Sequence, residues 1–247
     1  DKESLIAKLE MLAYINESRR THGVQELELD ILASRAANRM CIEAAKGDFS
    51  GHWNTRGEKP YHRYALAGGV DHVSENASAL RRSGGSLPAT YESAVSFMKD
   101  AHDRFMAEKA PYDGHKQNVI EKNHTHVGLG YAFYRNQFRY YEEYIDRYLD
   151  IEVEDIFLEK GEKTLLRFRP LGEGMHPYAV IVYRDPPLKK MTRAELNEKG
   201  SYPDFSDETV LSLWPWELPE RDAEGYVPLE LSFERAGSYY VDIYLDD

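Results

Sequence analysis

The segment 113–131, with the sequence DGHKQNVIEKNHTHVGLGY, constrains the fold of this chain more than any other stretch. It ends a helical pattern, places three histidines within twelve positions, and then enters a strand through the VGLG sequence of residues 127–130. Two further unusual clusters lie upstream, FSGHW at residues 49–53 and SEN at residues 74–76. Histidines and acids held on separate pieces of one domain predict a shared cleft.

The composition of the 247 residues excludes several classes of function. Hydrophobic residues make up 42% of the chain, which is enough for the core of one large domain or two ordinary ones. A net charge of −12 argues against a nucleic-acid partner and against charge-driven binding to anionic lipid, because both need clustered Lys and Arg. No apolar run approaches the roughly 18 residues of a membrane span. No signal sequence is visible either, so the destination of the chain stays open.

Apolar periodicity predicts three main helices in the first half of the chain. The first helix runs to about Arg20. The second is N-capped by Asp30 and ends near Gly47, and the third is N-capped by Thr90 and ends before Pro111. Rows of small residues along the second helix predict close packing against a neighbouring element.

The stretches between these helices predict irregular structure and a hairpin. Residues 49–88 are rich in Gly, Ser and His, and we expect a turn or two of helix at 61–67 and at 76–82. Residues 127–134 and 138–148 alternate as strands do, around a short turn. The tyrosine-rich second strand is expected to pack at the edge of its sheet.

Residues 1–149 are therefore predicted to form an α+β domain. Residues 150–247 differ in kind, because short strands separated by turn residues dominate them, and they predict a smaller β-sandwich-like domain. The expected strands are 151–158, 164–168, 178–183, 209–213, 229–233 and 238–245, with one helical stretch at 192–199. If Trp214 and Trp216 are exposed, they mark a binding surface.

The first domain resembles the CAP superfamily, which contains cysteine-rich secretory proteins, antigen 5 and pathogenesis-related 1 proteins and is also called the SCP-like domain. The resemblance covers roughly residues 3–148. It rests on FSGH at 49–52, SEN at 74–76, GHKQNVI at 114–120 and VGLGY at 127–131, in that order. The chain has no disulfide, and in this respect it is similar to bacterial members of the superfamily.

This resemblance implies an α-β-α sandwich with a cleft that holds two histidines and two acids. In several members the histidine pair binds zinc or another divalent cation, and the matching positions here are His52 and His115. Glu75 matches the first acid, although Ser74 precedes it where the family usually has Gly. The second acid is Glu108 or, in a shifted alignment, Asp100.

The residue types fit metal chemistry as well as a structural network. Neutral imidazole suits zinc, and two histidines with one or two carboxylates leave a coordination position open for water. Zinc can lower the pKa of such a water to about 7, with Glu75 or Glu108 as the base. In the alternative interpretation, His52 and His115 hydrogen-bond the carboxylates and tie the loop to the helices.

Structural roles are predicted for several other reactive residues. His102 lies on an apolar helix face and is expected in the core, and structural placement is favoured for His124 and His126. Asn118 is expected to tie its loop to its neighbours. Cys41, the single cysteine, forms no internal disulfide and suits a buried apolar position. No nucleophile motif or phosphate-binding glycine loop is present.

Three functions remain open from the sequence. The favoured one is a secreted or cell-surface binding module, not an enzyme, whose cleft accepts a divalent cation and an unidentified lipid, peptide or glycan. The alternative is a metal-dependent hydrolase of peptide or glycan at the cell envelope. The third is an interaction protein whose cleft binds nothing. The oligomeric state stays open.

Overall fold

The computed structural model describes residues 2–202 and 208–246, and these fall into two compact units. The first unit is Asp1–Arg147 with Lys190–Tyr202, and the second is Tyr148–Lys189 with Pro203–Asp247. The division after Arg147 lies close to the predicted boundary at residue 149. Residues 190–202 were expected in the second domain, yet they belong to the first unit because Leu196 is buried in its apolar core.

The first unit is an α-β-α sandwich around a four-stranded sheet of order β1-β3-β4-β2. β1 pairs with β3 in parallel, whereas β3 and β2 both pair with β4 in antiparallel fashion. Its elements are α1 (Lys2–Thr21), β1 (Glu28–Leu29), α2 (Ile31–Gly47), α3 (Pro60–Leu66), β2 (His72–Arg81), α4 (Tyr91–Met106), α5 (Gly114–Val119), β3 (His126–Tyr134), β4 (Gln137–Asp146) and α6 (Arg193–Glu198). No helix in the described ranges is long and apolar enough to cross a bilayer.

β4 divides the core between the two faces of the sheet, because successive side chains of a strand point to opposite sides. Tyr140 and Tyr144 pack in one apolar cluster with Met11 of α1 and Met98 of α4. Tyr141 points the other way and packs in the cluster of α2. β4 is therefore an inner strand buried on both faces, and the prediction that it packs at the sheet edge is wrong.

The predicted helix caps and boundaries agree with the structure. The Asp30 side chain accepts a hydrogen bond from the Ala33 amide at 2.7 Å, and Thr90 accepts one from the Ser93 amide at 3.2 Å. These two caps start α2 and α4 where the sequence places them.

β2 corrects the prediction of a helical turn at 76–82. It is a strand of ten residues whose Asn76 pairs with Glu142 of β4. Ala77, Ala79 and Leu80 favour helix by intrinsic propensity, which is why the local pattern was misleading. Pairing along the whole length of β4 outweighs that preference of a few tenths of a kcal/mol per residue.

Close approach of α2 to β3 depends on two glycines. A Cβ built on Gly128 would lie 2.3 Å from the Ala33 Cβ, and one built on Gly130 would lie 2.3 Å from the Ala37 carbonyl carbon. The small residues of α2 thus pack directly against a glycine face of the sheet, as the row of alanines predicts. The same contact brings the loop after α2 close to the sheet.

The second unit is a small β-sandwich of two antiparallel three-stranded sheets, with orders β5-β6-β9 and β10-β7-β8. Residues of both sheets share one apolar core, which includes Phe168, Val180 and Leu229. Trp214 and Trp216 stack with ring centroids 6.4 Å apart, and Trp216 is 81% exposed. The strands are β5 (Leu149–Val153), β6 (Lys163–Pro170), β7 (His176–Asp185), β8 (Glu208–Leu213), β9 (Val227–Ser232) and β10 (Ser238–Asp246).

Replacing Gly130 by Ala tests the α2–β3 contact. We expect Gly130→Ala to lower the free energy of unfolding by about 1–3 kcal/mol, because the added methyl meets helix backbone and not a flexible side chain. Gly114→Ala is the matched control, since no atom of the described residues lies within 4 Å of its Cβ position. Urea denaturation of both variants measures the difference, and equal stabilities would contradict the packing argument.

Candidate functional site

His52 follows α2 in a loop that is fastened to the sheet. Gly51 adopts φ +99°, a left-handed conformation that favours glycine, and its carbonyl accepts a hydrogen bond from the Tyr141 hydroxyl at 2.7 Å. Phe49 is 1% exposed and anchors the loop in an apolar cluster with Trp53. The residues that precede and follow His52 in the chain are thus held in place.

Glu75 of β2 orients the His52 ring. Its Oε1 lies 2.8 Å from His52 Nδ1, and its Oε2 forms a short ion pair with the Arg63 guanidinium. Arg63 also donates to the His52 carbonyl at 2.6 Å. The Glu75 side chain is 0% exposed, so the imidazole and not the carboxylate reaches the cleft.

Glu143 is a second carboxyl group beneath this pair, and the sequence analysis did not identify it. It sits on β4 directly opposite Glu75 and is 0% exposed, and neither of its carboxyl oxygens accepts a hydrogen bond from any residue that the structure describes. The Arg63 Nη2 atom lies 3.8 Å from its Oε1. Burial, together with the negative charge of Glu75, raises the pKa of Glu143 well above the usual 4.5.

Glu142, the neighbour of Glu143, faces the other side of the sheet and is ionised there. Burial opposes its charge, but His102 and the hydroxyls of Tyr144 and Tyr140 hold the pKa of Glu142 below 4.5. The hydroxyls lie 2.7 and 3.0 Å from its oxygens, and His102 Nδ1 lies 2.9 Å away.

His115 is held in the same manner by Glu108. Its Nδ1 lies 2.6 Å from Glu108 Oε1, and its backbone amide donates to Glu108 Oε2 at 3.0 Å. The ring stacks on Phe105 with centroids 4.7 Å apart, and Asn76 donates to the His115 carbonyl at 3.0 Å. Of the two acids that the resemblance allowed, Glu108 contacts the histidine, whereas Asp100 lies exposed on α4.

Of the remaining residues predicted to be structural, His102 and His124 are buried, whereas Asn118 and His126 are partly exposed. His102 is 0% exposed and contacts Glu142, and His124 is 3% exposed and lies 3.1 Å from Asn118 Oδ1. His126 contacts the adjacent Thr125 hydroxyl. Burial raises the pKa of the Cys41 thiol well above its usual value, which suits an unreactive core position.

One cavity of about 290 Å³ brings His52 and His115 together. Its walls are made of small and polar residues. They are Ser50, Gly51, His52, Ala77, Ser78, Ala79, His115, Tyr141, Lys199, Gly200 and Ser201. Glu75 and Glu108 do not line it. The cleft predicted from the separated motifs is therefore present, with imidazoles at its surface and carboxylates behind them.

The segment Lys190–Tyr202 supplies part of the cavity wall, and sequence reasoning missed it. The Tyr202 ring lies 4.9 Å from the His52 ring, edge to face, and its hydroxyl accepts a hydrogen bond from the Glu75 amide at 3.0 Å. Leu196 is 1% exposed in the apolar cluster beneath the His52 loop. The available signal was an apolar residue, Leu196, in the short helix predicted at 192–199. This residue does not reveal by itself which domain the helix contacts.

Each cleft histidine keeps one ring nitrogen without a protein partner among the described residues. Both Nδ1 atoms face carboxylates, and neither Nε2 has a hydrogen-bond partner among the described residues. Within residues 2–202 and 208–246 there is no group of three His, Cys, Asp or Glu side chains placed to hold a metal ion. Water or a ligand would have to complete the coordination shell of an ion bound by His52 and His115.

Comparison with known families decides what this domain is. Residues 12–144 match the sequence profile of the CAP family, described as the cysteine-rich secretory protein family. The chain belongs to the CAP family. The resemblance noted in the sequence is thereby confirmed, together with the α-β-α fold. No curated protein gives a significant match to this CAP chain.

Two solved structures are similar to this CAP protein. One is an extracellular protein containing an SCP domain from Bacillus anthracis str. Ames, at 18% identity and a TM-score of 0.43, covering 56% of this chain and 40% of that one. The other is an outer surface protein from Borrelia burgdorferi, at 14% identity and a TM-score of 0.45, covering 57% of this chain and 92% of that one. The match thus spans less than half the length of the Bacillus protein.

The two adjacent glutamates of β4 predict opposite pH effects. A carboxyl group with a raised folded-state pKa contributes stability fully below 4.5 and loses it as the pH rises towards the folded pKa. We therefore expect Glu143→Gln to be more stable than the unmodified protein above pH 4.5, with the gap closing below it.

Glu142→Gln is the matched control, and we expect it to change the stability in the opposite direction. The lowered folded-state pKa of Glu142 contributes stability above 4.5 that is lost as the pH falls, so this variant should be less stable at neutral pH. Urea denaturation from pH 4 to 8 measures the free energy of unfolding of both variants. Equal pH profiles for the two variants would contradict the assigned charges.

Proposed function

We propose that this CAP protein binds a divalent cation, zinc or a similar ion, together with a polar ligand in the cleft between His52 and His115. One observation carries the proposal: both rings line a single cavity while a carboxylate holds each Nδ1. Histidines that ligate a metal through Nε2 commonly donate their other N–H to a carboxylate or carbonyl, which fixes the tautomer and the ring orientation.

The protein's own residues would prepare the site before any ion arrives. Glu75 and Glu108 would keep a proton on the Nδ1 atoms of His52 and His115, so that each Nε2 presents a lone pair to the cavity. Arg63 would hold Glu75 in place and offset its buried charge. When bound, the cation would supply a positive charge that attracts and polarises an oxygen of the ligand.

The alternative proposal is a metal-dependent hydrolase of peptide or glycan. Such a reaction needs a base beside the attacking water. Glu75 is fully buried, and Glu108 Oε1 and Oε2 both contact His115, an arrangement that favours binding over hydrolysis. Turnover of peptide or glycan substrates that His115→Ala abolishes would support the hydrolase instead.

We also propose an extracellular or cell-surface location, which suits a family described as secretory. Fractionation of the source cells with an antibody against the chain measures this. Recovery in the cytosol alone would exclude it.

Zinc titration tests the proposed cation site. We expect calorimetry of the metal-stripped protein to show one zinc bound per chain, and the His52→Ala, His115→Ala double variant to lose it, because both nitrogen ligands are gone. Affinity should also fall on acidification, since protons compete with zinc for imidazole.

The control removes two exposed histidines outside the cleft. His22→Ala combined with His176→Ala changes the histidine count equally and should leave zinc binding intact. If the unmodified protein binds no zinc, the carboxylate–histidine pairs are a structural network and the cation proposal fails.

A further inference from the structure

The outer edge of β2 exposes main-chain groups to the cavity. β2 is the terminal strand in the sheet order β1-β3-β4-β2, so within residues 2–202 and 208–246 no strand pairs with its outer side. In an antiparallel pair, the N–H and C=O groups of one residue both point towards the partner strand or both point away, in alternation. The direction at one residue therefore fixes the direction along the strand.

Two hydrogen bonds establish that direction. The Ile145 carbonyl accepts a bond from the Thr125 amide at 2.9 Å on the β3 side, so Ile145, Glu143 and Tyr141 direct their main-chain groups towards β3. The main-chain N–H and C=O groups of the β2 residues that pair with them must then point away from β4. The Glu75 amide does so, because it donates to the Tyr202 hydroxyl at 3.0 Å.

Ala77 and Ala79 follow Glu75 at two-residue spacing, so their N–H and C=O groups also face outward. Across the described residues, no hydrogen bond is recorded for the main chain of either alanine on this side. The opposite edge of the sheet differs, because α2 side chains cover it. There the Leu129 amide donates to Ser34 Oγ at 2.9 Å, and the Tyr131 amide donates to Asn38 Oδ1 at 3.2 Å.

The uncovered part of the edge lies inside the cleft. Ala77, Ser78 and Ala79 line the same cavity as His52 and His115. A row of donors and acceptors at two-residue spacing matches an extended peptide, which can add to a free edge as a further strand.

The lining favours a peptide over the other ligands that the sequence left open. A lipid chain needs large apolar walls, whereas these walls are Ser, Gly, Ala, His and Lys apart from Tyr141. Sugar stacking needs a free aromatic face, and Tyr141 is 1% exposed with its hydroxyl bound to the Gly51 carbonyl.

We propose that the cleft binds an extended peptide segment of another protein, which pairs as an added strand with Ala77 and Ala79 of β2 between the two histidines. This inference rests on the proposed ligand-binding role of the cleft. It names the class of ligand, and main-chain hydrogen bonds supply the recognition.

Amide hydrogen exchange with a defined probe tests the pairing. The probe is a pool of short random peptides with blocked ends, and its control is the same pool N-methylated at alternate residues, which removes main-chain donors. We expect the first pool to slow exchange of the Ala77 and Ala79 amides several-fold and the N-methylated pool to have little effect. No protection, or equal protection by both pools, would overturn the proposal.

A pair of variants tests the edge itself. Ala79→Pro removes an outward N–H without touching the β2–β4 ladder, and proline is tolerated at such edge positions. Ala79→Val keeps the N–H and adds a side chain at an exposed site. We expect peptide binding to be lost in the first and kept in the second, with melting temperatures compared to verify folding. Equal binding would overturn the proposal.

Two further results separate this inference from its alternatives. Protection of Ala77 and Ala79 that rises with protein concentration, without peptide, would assign the edge to a second copy and overturn the proposal. Zinc titration of Ala79→Pro should match the unmodified protein. Zinc binding without peptide protection would overturn only this inference, whereas peptide protection without zinc binding would remove only the cation from the proposed function.

Discussion

The buried guanidinium of Arg63 is the charge on which the cleft depends. It pairs with Glu75, lies 3.8 Å from Glu143 and donates to the His52 carbonyl at 2.6 Å. Removing one member of such a buried network leaves an uncompensated charge, which costs about 3–5 kcal/mol. A single side chain on α3 therefore holds the loop of His52, the strand of Glu75 and the charge balance between them.

Adjacent carboxyl groups of β4 show how one strand carries two electrostatic environments. His102, Tyr140 and Tyr144 contact Glu142 and lower its pKa, whereas burial and the charge of Glu75 raise the pKa of Glu143. The contact of Glu142 with His102 ties the helical layer of α4 to the sheet, and the raised pKa of Glu143 disfavours a second negative charge beside Glu75. Glu75 orients the His52 ring and Glu108 orients the His115 ring, so each imidazole has one carboxylate, as the proposed cation site requires.

The sequence predicted the features that depend on local chemistry and ordered motifs. Asp30 and Thr90 cap their helices as expected, because a side-chain oxygen bonds the first amides wherever the chain turns into a helix. The motif order also placed His52 and His115 in one cleft. In contrast, the prediction of a helical turn at 76–82 is wrong, because the alanines there favour helix until a partner strand is present.

By itself, the sequence determined the family, the helix starts and the histidine pair of this protein, since each depends on short motifs and on the order of those motifs along the chain. Tertiary structure alone decided that Glu143 lies buried under Glu75, because strand register sets which side chains face each other. It also decided that Tyr202 lies beside His52 and that no strand of the described part of the chain pairs with the outer edge of Ala77 and Ala79. These are contacts between residues distant in sequence, and no local pattern contains the geometry that brings them together.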